Sequence, residues 1–393
     1  MGDFKENQRV ILNAVFEKGL TSRTELSRDL QLSKPAIADN LNGLLAIGIV
    51  EECGEGEVGK GGGRKPRLLR FNKNHKYIIA IELNYEDPIF VLGNLNGEIF
   101  NEFSVKISEN ASPRIRMDLI KNAIHILLNS NDLDSGGLAC IAISSPGVFP
   151  DKTELSFTNP QFKGWFDLDL PHSIPGEFHV NVLLKNDVNM AAVGESRYGA
   201  GRGSQNMFYI SCGSGLGSGL ILGSRLYEGR FNSAGEIFDY VTPSTLTGRN
   251  LEDRISIDGL LKKVQASTLA ARLEAHGTPV NFNTVAEEYQ HGNPEIKEFV
   301  SDIAVQLGCI VANTANLLSL DTVIVGGEYS VFNDTILEGI QGITQNHCIF
   351  PPSVRSSELG RHAGIMGLFA AAREQYFEAV IKDISESSER DIN

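Results

Sequence analysis

No apolar run in the chain reaches the ~20 residues that a membrane-spanning helix needs. Its N-terminal stretch, MGDFKENQRV, has no apolar core of the secretory kind, so the cytoplasm is the expected location. The five cysteines (Cys53, Cys140, Cys212, Cys309 and Cys348) are odd in number and none stands in a CxxC pair. That argues against a disulfide framework and leads us to expect reduced, buried thiols. Tryptophan occurs once, at Trp165. Positive charge is also scarce: 35 Lys and Arg face 49 Asp and Glu, a formal net charge of −14. Taken alone, that balance argues against a nucleic-acid partner.

The distribution of charge argues otherwise. Residues 1–76 hold 13 Lys and Arg against 10 Asp and Glu, and the remainder holds 22 against 39. Seven basic residues and no acidic one fall in 59–76 (Lys60, Arg64, Lys65, Arg67, Arg70, Lys73, Lys76). The pattern is a basic module on an acidic body.

That module has a legible local structure. Val10, Ile11, Ala14 and Val15 recur at helical spacing, and Gly19 ends the helix. Ser22-Arg-Thr-Glu25 is a capping box, in which the serine oxygen takes a free N–H and the glutamate reaches back. Ser33 caps a further helix, with Pro35 in the first turn where a missing N–H does no harm, and Ile37, Leu41, Leu44 and Leu45 form its apolar face. Helix, short helix, tight turn, helix is the helix-turn-helix pattern, whose second helix enters a major groove by its N-terminal end. Ser33, Lys34, Pro35, Ala36, Asp39 and Asn40 lie there, and an asparagine can read adenine bidentately. Strands over 49–52 and 67–71 flank GEGEVGKGGGRKP, a flexible tip suited to a minor groove. Residues 1–72 are therefore expected to form a winged helix-turn-helix domain, with Lys60, Arg64, Lys65 and Arg67 on the nucleic acid.

From Tyr77 onward strands and helices alternate, predicting an α/β body. Strands are expected over 77–83, 89–94, 98–107, 138–144, 180–186, 207–212, 220–222 and 321–325. Helices are expected over 112–129, 187–197, 259–274, 294–318 and from about 362. The tail from 384 (ISESSERDIN) is polar and is expected to be disordered.

The stretches KNDVNMAAVGE (185–195), GSGLGSGL (213–220), LYEGRFNSAGEI (226–237), VIVGGE (323–328) and ELGRHAGIMGLFAAA (358–372) resemble, in this order, the ROK family of bacterial sugar kinases and sugar-responsive repressors. The resemblance spans nearly the whole chain. It implies a two-lobed actin-like ATPase (ribonuclease H-like) fold with a sugar in the cleft. Lobe 1 would run over 77–195, completed by a helix at about 362–382, and lobe 2 over 196–361.

The resemblance also fixes where to look for kinase parts. Family kinases end the first strand in Asp-x-Gly-Gly-Thr. Here the stretch is Glu82-Leu83-Asn84-Tyr85-Glu86, with both glycines gone and an anion added. A phosphate there would meet side chains and negative charge. The second loop keeps Gly213, Gly215 and Gly217, and Gly326-Gly327 resembles the family's adenosine-side turn. Such glycines equally serve tight turns and close strand approach, so these are expected to be vestiges of a nucleotide site, with no ATP or Mg²⁺ cofactor. Asn186 and Asp187 match the family's Asn-Asp pair, whose aspartate is the base in kinases. Glu236 and Glu252 match two further sugar-binding glutamates. The histidine that follows is replaced by Asp239, expected to accept a hydroxyl in its place. Gln161 stands where the family often has asparagine, and Trp165 is expected to be core. The family's zinc loop is missing, since residues 235–252 hold no cysteine or histidine, so no zinc is expected.

These readings lead to a sugar-responsive transcriptional regulator that binds a pseudo-palindromic operator as a homodimer or tetramer, without catalysis. The rival readings are an active sugar kinase with a DNA-binding head, and a regulator controlled by a protein partner.

Overall fold

The computed structural model describes residues 2–56, 65–84, 87–108, 110–147, 165, 168–238, 240–241 and 250–390. Lys60, Arg64, Tyr85, Glu86, Gln161 and Asp239 lie outside the described residues.

The head comprises helix α1 (Gly2–Lys18), strand β1 (Leu20–Ser22), helices α2 (Arg23–Asp29) and α3 (Lys34–Ala46), and strands β2 (Val50–Glu55) and β3 (Arg67–Phe71). Both expected caps are present: Ser22 Oγ accepts Glu25 N at 3.3 Å and Ser33 Oγ accepts Ala36 N at 3.3 Å. Glu25 reaches back to the hydroxyls of Ser22 and Thr21. β1 was not expected. It pairs antiparallel with β3, which also pairs with β2, giving the order β1-β3-β2.

Lobe 1 follows with β4 (Tyr77–Glu82), β5 (Ile89–Asn94), β6 (Ile99–Ser104), α4 (Pro113–Asn129), β7 (Leu138–Ser145), β8 (Val182–Asn186) and α5 (Asp187–Tyr198). Its sheet has the order β6-β5-β4-β7-β8, an antiparallel meander continued by two parallel strands. One face carries Ile79, Ile81, Phe90, Leu92, Ile141 and Ile143 against the apolar side of α4, and Trp165 is buried there.

Lobe 2 contains β9 (Met207–Cys212), β10 (Leu216–Leu222), β11 (Arg225–Leu226), α6 (Glu252–Ile255), α7 (Ile257–Gln265), α8 (Thr268–Ala275), α9 (Phe282–Gln290), α10 (Pro294–Leu318), β12 (Thr322–Gly326), α11 (Asn333–His347) and β13 (Ser353–Ser356). Its sheet order, β11-β10-β9-β12-β13, repeats that of lobe 1 strand for strand. The helix expected over 259–274 is two helices, because Ser267 caps α8 through Leu269 N and interrupts the first. Glu195 is fully buried near the end of α5. Its carboxylate accepts Ala200 N at 2.8 Å, Leu359 N at 2.9 Å and the Ser357 hydroxyl at 2.6 Å, tying the two lobes at their junction.

The chain ends in one long helix, α12 (Ala363–Arg390). The disordered tail expected from 384 is thus corrected through Arg390. Its polar composition conceals an inward stripe in which Phe377, Val380 and Ile381 are buried with Ile11, Leu12, Val15, Leu41, Leu44 and Leu69 of the head. Ile384 lies against Gly43 of α3, and Ser385 is buried. Phe16, Phe71 and Phe377 meet edge to face, with centroids 5.2–6.1 Å apart. At 1.5 Å rise per residue, 28 residues span roughly 40 Å, so α12 belongs to lobe 1 at one end and to the head at the other. The cysteines are all free. Cys140 and Cys212 are buried but Cys309 is exposed, against the expectation of uniform burial.

Candidate functional site

The candidate residues gather where α5, β4, β10 and α6 approach. Asn186 ends β8 and caps α5: its Oδ1 accepts Asn189 N at 2.8 Å and its Nδ2 donates to the Gly147 carbonyl at 3.0 Å. The amide therefore fixes the turn that presents the next residue. Asp187 opens α5, and its Oδ1 accepts Val188 N at 2.8 Å. Burial pushes its carboxyl up to about 6, against the pull of those helix N–H groups. Glu236 is pushed up to about 7 by burial, then by the charges of Asp187 and Glu252. Glu252, in the first turn of α6, accepts Leu216 N at 3.0 Å and is raised chiefly by burial.

The structure sets beside this group a residue that sequence reasoning left out of it. Glu82, at the end of β4, is pushed up to about 8 by burial and then by Asp187. A Cβ built on Gly364 would come 2.3 Å from Glu82 Oε2 and 3.8 Å from the Asp187 carbonyl, so the first turn of α12 adjoins the Glu82 carboxylate and the backbone of Asp187. The signal was available, since Glu82 occupies the position of the family's first-loop aspartate. Near neutral pH this set offers both protonated and ionised carboxyls, donors as well as acceptors for neighbouring hydroxyls.

The second glycine loop serves packing. Gly217 lies on β10 beneath α5, and a Cβ there would reach 2.8 Å from Val188 Cγ2. Gly213 and Gly215 form the β9–β10 turn, where Gly213 N donates to the Gly215 carbonyl at 3.0 Å. Glu328 follows Gly326-Gly327 at the end of β12 and places Oε2 at 2.6 Å from Ser214 N in that turn. A carboxylate of the chain itself thus takes a donor that a phosphate would need. Neither the packing role of Gly217 nor the position of Glu328 could be read from spacing.

In the head, Lys34, Pro35 and Asp39 are exposed at the start of α3, with Ser33 just before them and Ala36 half-buried. Asn40 is not available to a base. It is 3% exposed and donates to the Ala36 carbonyl at 2.8 Å, because its position on α3 faces the head core. Lys65 is exposed. Arg67 is exposed but pairs with Glu52 at 2.5 Å, and Glu52 also takes Arg23. Trp165 lies in the lobe-1 core under the Arg116 guanidinium, 4.6 Å from its ring centroid, rather than at a sugar.

Among the described residues, no cluster of three or more His, Cys, Asp or Glu side chains is placed to hold a metal ion. The segment matching the family's zinc loop offers no sulfur or imidazole donor, so the chain does not fit that ion. No helix among the described residues is long and apolar enough to cross a membrane.

A duplicated meander-plus-parallel sheet, a carboxylate-rich cleft and a winged head define a two-lobed actin-like α/β protein with a helix-turn-helix domain. The ROK family model matches residues 78–375, and the chain belongs to that family. It is 26% identical over 387 residues to the xylose repressor of Bacillus spizizenii, covering 96% of this chain and 97% of the relative. A crystal structure of a ROK family transcriptional regulator, homologous to the E. coli MLC protein, superposes with a TM-score of 0.81 at 19% identity, covering 98% of this chain and 99% of that one. A ROK family glucokinase from Streptomyces griseus, solved with glucose and AMPPNP, superposes with a TM-score of 0.64 at 24% identity over 76% of this chain and 99% of that one.

Proposed function

We propose that this protein is a transcriptional repressor whose grip on operator DNA is set by a sugar in the interlobe cleft. The observation that carries the reading is that cleft and recognition helix are built on opposite ends of α12. Gly364 adjoins Glu82 and Asp187, and Ile384 lies against Gly43 of α3. A change in the cleft then has a rigid element by which to reach the head.

Asp187, Glu236, Glu252 and Glu82 are the proposed sugar partners, with Asp239 as a further acceptor and Asn186 holding the turn. The relatives named xylose repressors support an aldopentose as effector. On the DNA side the proposed contacts are Ser33, Lys34, Pro35, Ala36, Lys60, Arg64, Lys65 and Arg67. The proposed assembly is a C2 homodimer on a two-fold operator, its half-sites a whole number of helical turns apart, and the proposed location is the cytoplasm.

Phosphate transfer is not part of the proposal. The first loop has lost its glycines, and Glu328 takes a donor of the second. In this reading Asp187 accepts a hydroxyl and removes no proton in a reaction.

The test is fluorescence anisotropy with duplexes from around the protein's own gene, at low salt, with and without xylose. Operator binding that weakens with xylose, about 5–150-fold for typical coupling, and that loses its response in Asp187→Ala is expected. Indifference to every duplex sinks the reading. ADP release from ATP, Mg²⁺ and xylose that disappears in Asp187→Asn establishes the kinase instead.

A further inference from the structure

Arg373 lies within α12, where lobe 1 meets the head. It is 6% exposed. Its guanidinium carbon lies 4.0 Å from the ring centroid of Phe16, on α1 of the head, and 5.9 Å from that of Tyr198. Nη1 donates to the Tyr198 hydroxyl and, at 3.5 Å, to the Leu95 carbonyl. No carboxylate of a described residue pairs with it. A buried guanidinium without an anion is costly, and the ring and hydroxyl offset only part of that cost. For packing alone, a methionine would serve at this place.

The three partners lie on three separate elements, one in the head and two in lobe 1. Phe16 is in the head. Leu95 follows the β5 strand of lobe 1. Tyr198 is the last residue of α5, whose first residue is Asp187. Twelve helical residues carry the cleft about 18 Å to Arg373. The intervening contact does not yield: a Cβ on Gly367 would stand 1.8 Å from the Met190 carbonyl, so α5 and α12 touch backbone to backbone. A shift of α5 is passed on rather than absorbed by side chains. Beside Phe16, a half-open pocket of about 540 Å³ is lined by Phe71, Asn72 and Asn74 of the head side and Asn96 of lobe 1.

We infer that Arg373 is the positioning residue that couples cleft to head, through Tyr198 on one side and Phe16 on the other. When a sugar engages Asp187 and moves α5, Tyr198 withdraws from or presses on the guanidinium, and Phe16 carries α1 with it. This rests on the repressor reading above.

The test compares wild type with Arg373→Met, Arg373→Lys and Tyr198→Phe, the last removing only a hydroxyl. Xylose affinity is measured by calorimetry and operator affinity by anisotropy with and without xylose. All four chains are expected to bind xylose within about twofold of one another. In Arg373→Met and Tyr198→Phe the xylose-induced change in operator affinity should fall to within about twofold of none, from a typical 5–150-fold. Arg373→Lys, which keeps a cation over Phe16, should recover part of it. A full xylose response in Arg373→Met and Tyr198→Phe overturns the coupling role, as does lost xylose binding in Tyr198→Phe. A wild type that binds operator but no sugar defeats the effector reading alone. Coupling is reciprocal, so it is then judged by hydrogen exchange: operator DNA should protect amides of 187–198 in wild type and not in Arg373→Met. Equal protection in both overturns the proposal.

Discussion

The two lobes share one strand order but treat their first hairpin turn differently. In lobe 1 the sequence between β4 and β5 has Asn84 and Tyr85 where family kinases have two glycines, followed by Glu86, and β4 ends in Glu82, whose carboxyl burial pushes up to about 8. In lobe 2 the β9–β10 turn keeps Gly213 and Gly215, with Gly213 against the carboxylate of Glu328, and Gly217 on β10 makes room for Val188 of α5. The two turns thus differ in composition and in what occupies them: one carries side chains in place of glycines, and the glycines of the other meet contacts within the chain.

The sharpest way to break this comparison is Gly217→Val. If the glycine is retained for the approach of α5, overpacking should destabilise the chain by about 1–3 kcal/mol in urea unfolding. Unchanged stability would return Gly217 to a nucleotide role. A smaller effect is expected from Glu328→Gly. Freeing Ser214 N–H and removing a negative charge should raise AMP-PNP affinity by about tenfold, or roughly 1.4 kcal/mol, with no ADP released because the lobe-1 turn is still closed to phosphate. Equal nucleotide affinity in the two chains would show that Glu328 does not guard the turn. The smallest effect concerns Glu82. Its folded carboxyl holds a proton more tightly than the unfolded one, so its contribution to stability is complete below the usual glutamate range, about 4.3. That contribution fades as pH rises toward about 8. Glu82→Gln should therefore raise Tm at pH 8.5 and leave it unchanged at pH 4. An equal gain at both pH values would mean that packing, not proton binding, sets the effect.

Much of the fold could be read in advance where local chemistry decides it. The caps at Ser22 and Ser33, the five strands of the lobe-1 sheet, β9 and β12 of lobe 2 and α10 over 294–318 follow from side-chain periodicity and from hydroxyls placed before helices, whereas β11 and β13 were missed. What escaped was decided across distance. β1 is three residues long and exists because Leu20–Ser22 meets β3, some fifty residues away. Asn40 looked like a base-reading side chain until the packing of α3 turned it inward. The last turns of α12 look unstructured as sequence, because Ile384 has no value alone and acquires one only against Gly43. In the site, Asp187, Glu236 and Glu252 were named by motif order. Glu82 was set aside with its altered loop, although its burial beside Asp187 could not be read from that loop.

Because buried residues of α12 complete the core of the head, the part of the protein that would touch DNA lacks an interior wall until residues 377–385 have left the ribosome. A nascent chain therefore completes the core of its head only after both lobes have been made. Every finished headpiece arrives already attached to the lobes that can release it.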